Sequence, residues 1–254
     1  MIIGPHSAYR WARPGALIAL PALLAPVAVI LARAGQGPLL LPVLATAVIY
    51  PVMATLLLRG RRDAAALAAL LWTAGLSVSI IAFTRRDPAS MERVVLNGPA
   101  YREEMFAYIR SGIGREGDPA RFVPQHALHL LTFSLLSVGS GGLLGIALGA
   151  ILVGYMSFYV GALAAGGGAP GTALLLGWPP WAILRVAAFV LIGLCLAEPV
   201  LFAARGWLGR LPAPPAGPRR PWYLAAAALL VADIVLKLVF AQAWAAILRP
   251  CLVP

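Results

Sequence analysis

The sequence predicts an all-α polytopic transmembrane helical bundle. Of its 254 residues 61% are hydrophobic and 11% are charged. The mean hydropathy is +0.87. The apolar residues gather into runs of about 20, the length a helix needs to cross the hydrocarbon of a bilayer. The net charge of +11, from 20 basic against 9 acidic residues, falls as short arginine groups between those runs, with Lys237 the sole lysine. That pattern reports membrane topology and excludes a nucleic-acid surface, which would collect basic and aromatic residues on one polar face.

Taken in order, the first run is Ala16 to Ala32, which follows Arg10 and Arg13 and is long for the hydrophobic core of a signal peptide, so it reads as a retained anchor. Leu39 to Leu58 and Ala64 to Phe83 follow, and Ala182 to Ala203 and Tyr223 to Leu248 close the series. Between them His126 to Ala165 carries no charged side chain. As one helix it would measure about 60 Å, twice the hydrocarbon thickness, so it must fold back. The cluster "GSGG", Gly139 to Gly142, is where a break is expected, giving two crossings or one crossing with a re-entrant turn. The expectation is a single membrane domain, residues 1–254, with about seven apolar segments and six or seven spans.

With the N-terminus in the cytoplasm, Arg10, Arg13, Arg59, Arg61, Arg62, Arg205, Arg210, Arg219 and Arg220 all fall inside, and Arg33 and Arg249 fall outside. The long polar segment 84–125 then lies outside. Within it Tyr101, Met105, Phe106, Tyr108 and Ile109 recur at spacings of three and four, which predicts an extracytoplasmic amphipathic helix that lies along the interface or caps the bundle. Residues 205–221, including "RLPAPPAGPRRP", read as a Pro/Arg-rich cytoplasmic connector near anionic headgroups.

Two groups of residues could carry chemistry. His126 and His129 share a helix face at i and i+3, and with Glu103 or Glu104 they could hold a divalent metal or serve in acid–base catalysis. The alternative is that both histidines rest at the interface while the glutamates pair with Arg102, Arg110 or Arg121. Inside the membrane, Asp233 and Lys237 lie at i and i+4 and could neutralise each other, or engage Arg185 or Glu198 across the bundle. They form either a packing ion pair or a polar route for an ion, proton or lipid headgroup. Arg185 is near enough to its helix start to snorkel outward, and Glu198 could sit at the inner boundary.

Gly141, Gly145 and Gly149 repeat every four residues as a face for close helix contact, within the chain or between copies. In "GWPPWAIL" the prolines open a helix, and Trp178 and Trp181 are expected to anchor at the interface. Cys195 and Cys251 read as free thiols. No phosphate-binding or dinucleotide fingerprint is present.

Three resemblances follow from these motifs. Glu103 and Glu104 followed by "FVPQH" resemble the opening motifs of the CAAX-type intramembrane glutamyl proteases, but Ala107 replaces their arginine and no later His-x-x-x-Asn exists. "HALHLL" with "GSG" at Gly139 to Gly141 resembles parts of the rhomboid proteases, without their late histidine. "LLGIALGAILVGYMSFYVGAL" followed by "GWPPWAILRV" resembles the core of the stage II sporulation protein M-like (DUF95) membrane family over about 70 residues, in a pattern of a glycine-rich helix then a proline-led helix start. There Trp181 stands for that family's histidine and Arg185 for its glutamate. This resemblance implies a non-enzymatic partner in a membrane assembly.

The expected function is therefore a non-catalytic subunit, scaffold or permease-like, of a larger complex in a bacterial cytoplasmic membrane. It would be in contact with lipid and with other subunits or a second copy, with no cofactor and at most a metal at the histidines. The rivals are a membrane enzyme or redox subunit using His126 and His129 with Glu103 or Glu104, and a small transporter whose path passes Asp233, Lys237 and Arg185.

Overall fold

A computed structural model describes residues 14–207 and 217–252. Arg10, Arg13, Arg210 and residues 211–216 of the Pro/Arg-rich connector lie outside the described residues. The chain is an all-α polytopic bundle, with no strand among the described residues. Its long helices are α1 (Pro14–Gly35), α2 (Leu40–Leu58), α3 (Arg62–Arg86), α6 (Pro119–Ser140), α7 (Leu143–Gly166), α9 (Pro180–Trp207) and α10 (Arg220–Leu248). Short α4 (Pro88–Glu92), amphipathic α5 (Gly98–Ser111) and a 3-10 turn at Arg115–Gly117 link α3 to α6, and short α8 (Pro170–Leu176) precedes α9.

Among the described residues six segments are long and apolar enough to cross a membrane: α1, α2, α3, α7, α8 with α9, and α10 with the turn after it. The chain is a multi-pass membrane protein. Outward-facing Leu23, Val78, Leu135 and Val239 are each more than 60% exposed, a surface that only lipid tails can solvate at this density. Helix α6 is the seventh long helix, and its polar first turns keep it out of the apolar six.

The fold-back between α6 and α7 falls at Gly141 and Gly142, with φ of +60° and +93°. Two consecutive left-handed residues reverse the chain, and a Cβ at Gly142 would stand 2.9 Å from that of Ala197, so glycine serves both the turn and the approach of α9.

The seven long helices alternate in direction. At one end Arg62 of α3 meets Glu198 of α9 and the carbonyl of Pro218 before α10, and Arg205 donates to the carbonyl of Leu58. At the other, Arg33 at the end of α1 pairs with Asp87, whose side chain also caps α4. Arg249, just after α10, and Gln242 of α10 donate to the carbonyls of Ile109 and Gly112. Helix α5 covers this second end, burying Met105, Tyr108 and Ile109 and stacking Tyr101 on Tyr155 of α7 at 4.5 Å. It is a cap on the bundle.

Helix α7 is the central pillar, shared by two buried clusters. One joins it to α1, α2 and α3, and the other to α5, α8, α9 and α10. Two of its glycines make close contacts within the chain: Gly145 lies on Ser137 of α6 and Gly161 on the last turn of α3, whereas Gly149, the third of the expected contact face, meets no neighbour. The tryptophan at the start of α9 departs from expectation. Trp181 is 2% exposed and packs edge-on against Trp244 of α10 at 5.5 Å, and the Trp244 Nε1 donates to the carbonyl of Leu176 in α8, so the pair is buried in the core rather than at the headgroups.

Candidate functional site

The polar side chains of the capped half converge where α6, α9, α10 and the 3-10 turn meet. Arg185 donates from Nε and Nη2 to the two carboxylate oxygens of Asp233, both at 2.8 Å. This planar, two-point pairing is the geometry guanidinium favours, and it removes Asp233 as a partner for Lys237. Lys237 instead places Nζ 2.7 Å from Glu116 Oε2 in the 3-10 turn, and 4.4 Å from the centre of the Phe122 ring. The expected Asp233–Lys237 pair is thus replaced by two pairs, one tying α10 to α9 and the other tying α10 to the cap. Arg185 does not snorkel outward, since Asp233 holds it against α10.

His126 joins this cluster. Its Nδ1 lies 3.9 Å from Asp233 Oδ2, beyond hydrogen-bonding reach, and has no partner among the described residues. Its ring stands 5.4 Å from that of Phe122. His129, one turn on, opens on a cavity described below.

The two glutamates expected beside the histidines are elsewhere. Glu103 is exposed and accepts from Arg102, and Glu104 lies 3.6 Å from Arg115. No group of three or more His, Cys, Asp or Glu side chains among the described residues is placed to hold a metal ion. The carboxylate nearest His126 is Asp233 on α10, not one on α5.

Glu198 belongs to the opposite end. Its Oε2 accepts from Arg62 at 2.5 Å and from Arg219 at 2.9 Å, with Trp222 beside the Arg62 guanidinium at 5.6 Å. These arginines, expected only as topology signals, close a buried ionic knot between α3, α9 and the start of α10.

Between α2 and α3 on one side and α6, α7 and α9 on the other runs a cavity of about 110 Å³. It begins at His129, Tyr155 and Arg185 and continues past Gly149 and Phe189 to Ser137 and Gly142. From Ala182 to Leu194 along α9, its lining covers about 18 Å at 1.5 Å per residue. The wall is apolar except at the capped end and at Thr73, Trp72 and Ser137.

In the cap, burial pushes the Tyr108 hydroxyl up to about 12, with Glu116 adding to the shift. Tyr101 moves further in the same direction, first by burial and then by Glu116. Both phenols stay neutral beside the Lys237–Glu116 pair.

Sequence reasoning missed Glu116, Tyr155 and Arg62. The signal for Glu116 was a lysine in mid-span with no other free carboxylate: once Asp233 is committed to arginine, Lys237 requires an acid from the cap. Comparison with protein-family models, curated proteins and solved structures returns no match.

Proposed function

We propose that this chain is a non-catalytic, permease-like component of a bacterial cytoplasmic membrane, with its N-terminus in the cytoplasm and its cap outside. The slot that starts at Arg185 would be its ligand path. The observation that supports this is the continuity of the slot, from the charged groups under the cap to the Gly141–Gly142 turn between α6 and α7. A purely structural ion pair needs no such opening beside it. On the same reading the chain works beside other membrane subunits or a second copy, as the resemblance to the stage II sporulation protein M-like family implies.

Single cysteines in a Cys195→Ser/Cys251→Ser background test the path. His129→Cys should react with a charged methanethiosulfonate added to intact cells, and Gly149→Cys with small neutral N-ethylmaleimide. Ala226→Cys, at a position fully buried in packing, should stay inert. If the two slot positions are as inert as Ala226→Cys, the path is closed and the proposal is wrong.

A second reading, acid–base catalysis, draws on the approach of His126 to Asp233 and the opening of His129 on the slot. It requires that His126→Ala abolish function in the native membrane, whereas the permease-like reading, whose slot His126 does not line, requires that function survive that substitution.

A further inference from the structure

We propose that the slot holds the hydrocarbon chain of a single-chain amphiphile, with an anionic head at Arg185 beside His129 and Tyr155. This rests on the permease-like reading above and names its ligand class.

The shape argues for one chain. A cavity of about 110 Å³ drawn out over about 18 Å of helix is long and narrow, a shape that suits one extended alkyl or isoprenoid chain better than the paired tails of a bilayer phospholipid. The middle of the wall is Ile49, Ile146, Val186 and Phe189, with Gly149 between them. A Cβ at Gly149 would meet nothing within 4 Å, so this glycine makes no close helix contact within the chain. It leaves room along the slot.

The charge argues for an anionic head. Arg185 is the one fixed charge in the lining, and Asp233, Glu116 and Lys237 do not line the slot. Asp233 grips Nε and Nη2 from behind, which orients the guanidinium and leaves Nη1 free for a carboxylate or phosphate. An amphiphile fits both features, while a small hydrophilic solute would leave the apolar middle of the slot unmatched.

The test measures equilibrium binding to the full chain in phosphatidylcholine nanodiscs. The probes are radiolabelled palmitate, palmitoyl lysophosphatidate and palmitoyl lysophosphatidylcholine, which separate a carboxylate head, a phosphate head and a zwitterion. We expect saturable binding of at least one anionic probe, at least tenfold tighter than the zwitterion. Gly149→Leu and Leu152→Trp, both filling the slot, should each weaken it tenfold or more while keeping the wild-type gel-filtration profile. If one of these fails to fold, the other serves. The neutral pair Arg185→Gln/Asp233→Asn should erase the preference for an anionic head and leave lysophosphatidylcholine binding within twofold. Wild-type binding in the folded filling variants, or the same affinity for all three heads, overturns the proposal. If no probe binds while His129→Cys and Gly149→Cys still react, the amphiphile is wrong and the path stands. If those cysteines are inert, both fall.

Discussion

Replacing Glu198 by leucine removes the one carboxylate that Arg62 and Arg219 share. The side chains of Arg62 and Glu198 are 3% and 1% exposed, so the substitution strands a buried guanidinium. Loss of one partner from a buried pair costs about 3–5 kcal/mol, a roughly 10²- to 10⁴-fold shift toward the unfolded state. Arg219 contributes little to that figure, because its side chain is 38% exposed, and Arg219→Ala should cost under about 1 kcal/mol. The double replacement Arg62→Leu/Glu198→Leu removes both charges together and should recover to within about 1–2 kcal/mol of the parent, since apolar residues of similar volume often replace a buried pair at little cost. The assay is reversible unfolding from mixed micelles by added dodecyl sulfate, followed by tryptophan fluorescence. Trp222, whose ring stands 5.6 Å from the Arg62 guanidinium, reports the site directly. If Glu198→Leu alone costs less than about 1 kcal/mol, or the two substitutions add without recovery, the knot between α3, α9 and α10 is not closed as described.

Trp181→Ala should cost about 3–5 kcal/mol in the same assay, because it empties a buried site and loses the edge-on contact with Trp244; a surface anchor would lose far less. Gly75→Ala should destabilise by about 1–3 kcal/mol, since its Cβ would lie 2.7 Å from the backbone oxygen of Ala22. Gly149→Ala, with open space at the same test position, should stay within about 1 kcal/mol of the parent; equal effects at the two glycines would contradict the packing of α1 on α3. Tyr108 holds its proton more tightly when folded than when unfolded, so its contribution is complete below the ordinary phenol value of 10 and is lost as pH climbs from there to about 12. A melting-temperature profile should therefore fall over that interval, and Tyr108→Phe should make the fall shallower, with Tyr101 keeping its own share. The same substitution should gain about 1 kcal/mol near pH 8 by removing a buried hydroxyl that has no partner among the described residues; an unchanged profile would place the phenol in water.

The spans were legible because lipid imposes a length and a hydropathy on any helix that crosses it, and "GSGG" was legible because two left-handed residues require glycine. The cap was legible too: Tyr101, Met105, Tyr108 and Ile109 keep helical spacing in a segment otherwise full of charge, and they are the residues that α5 turns toward α7 and α10. Pairing was another matter. Local spacing offered Lys237 as the partner of Asp233, and the choice of Arg185 depends on the rotation of α9 against α10, which no one-dimensional pattern carries. Glu103 and Glu104 looked close to the histidines in sequence, but α5 runs on into a 3-10 turn before α6 begins. The acids therefore meet Arg102 and Arg115 instead. Trp181 is buried where its sequence position suggests an anchor because Trp244, far along the chain in α10, packs against it, a tertiary contact that local composition does not carry.

The distribution of polar contacts also says which wall of the slot yields most easily. Helices α9 and α10 are tied near one end by Glu198 with Arg219 and toward the other by Arg185 with Asp233, and α3 is tied to α9 through Arg62. Helix α7 is held to α3 by the Ser157–Ser77 hydrogen bond and by the close approach of Gly161 to Thr84. Helix α6 has one such bond to a neighbour, at its turn end, where the Leu144 N–H of α7 donates to Ser140 Oγ at 2.8 Å, and its start meets Lys237 through the Phe122 ring. It leans on α9 through the Phe133–Phe189 stack and on α7 through Ser137 over Gly145, and His126 stops 3.9 Å short of Asp233. Its far end is the Gly141–Gly142 turn, where backbone torsions are least restricted. Moving α3, α7, α9 or α10 to admit a ligand would break hydrogen bonds or buried ion pairs, at several kcal/mol each where both partners are buried. Swinging α6 about that turn would keep the Leu144–Ser140 bond and cost the Lys237–Phe122 contact and dispersion contacts, the latter replaced in kind by a hydrocarbon chain entering beside it. Of the five helices that line the slot, α3, α7 and α9 are fixed by these ties and α2 by Arg205 at the Leu58 carbonyl, whereas α6 is held along the slot by packing and carries His129 to the head of the ligand path.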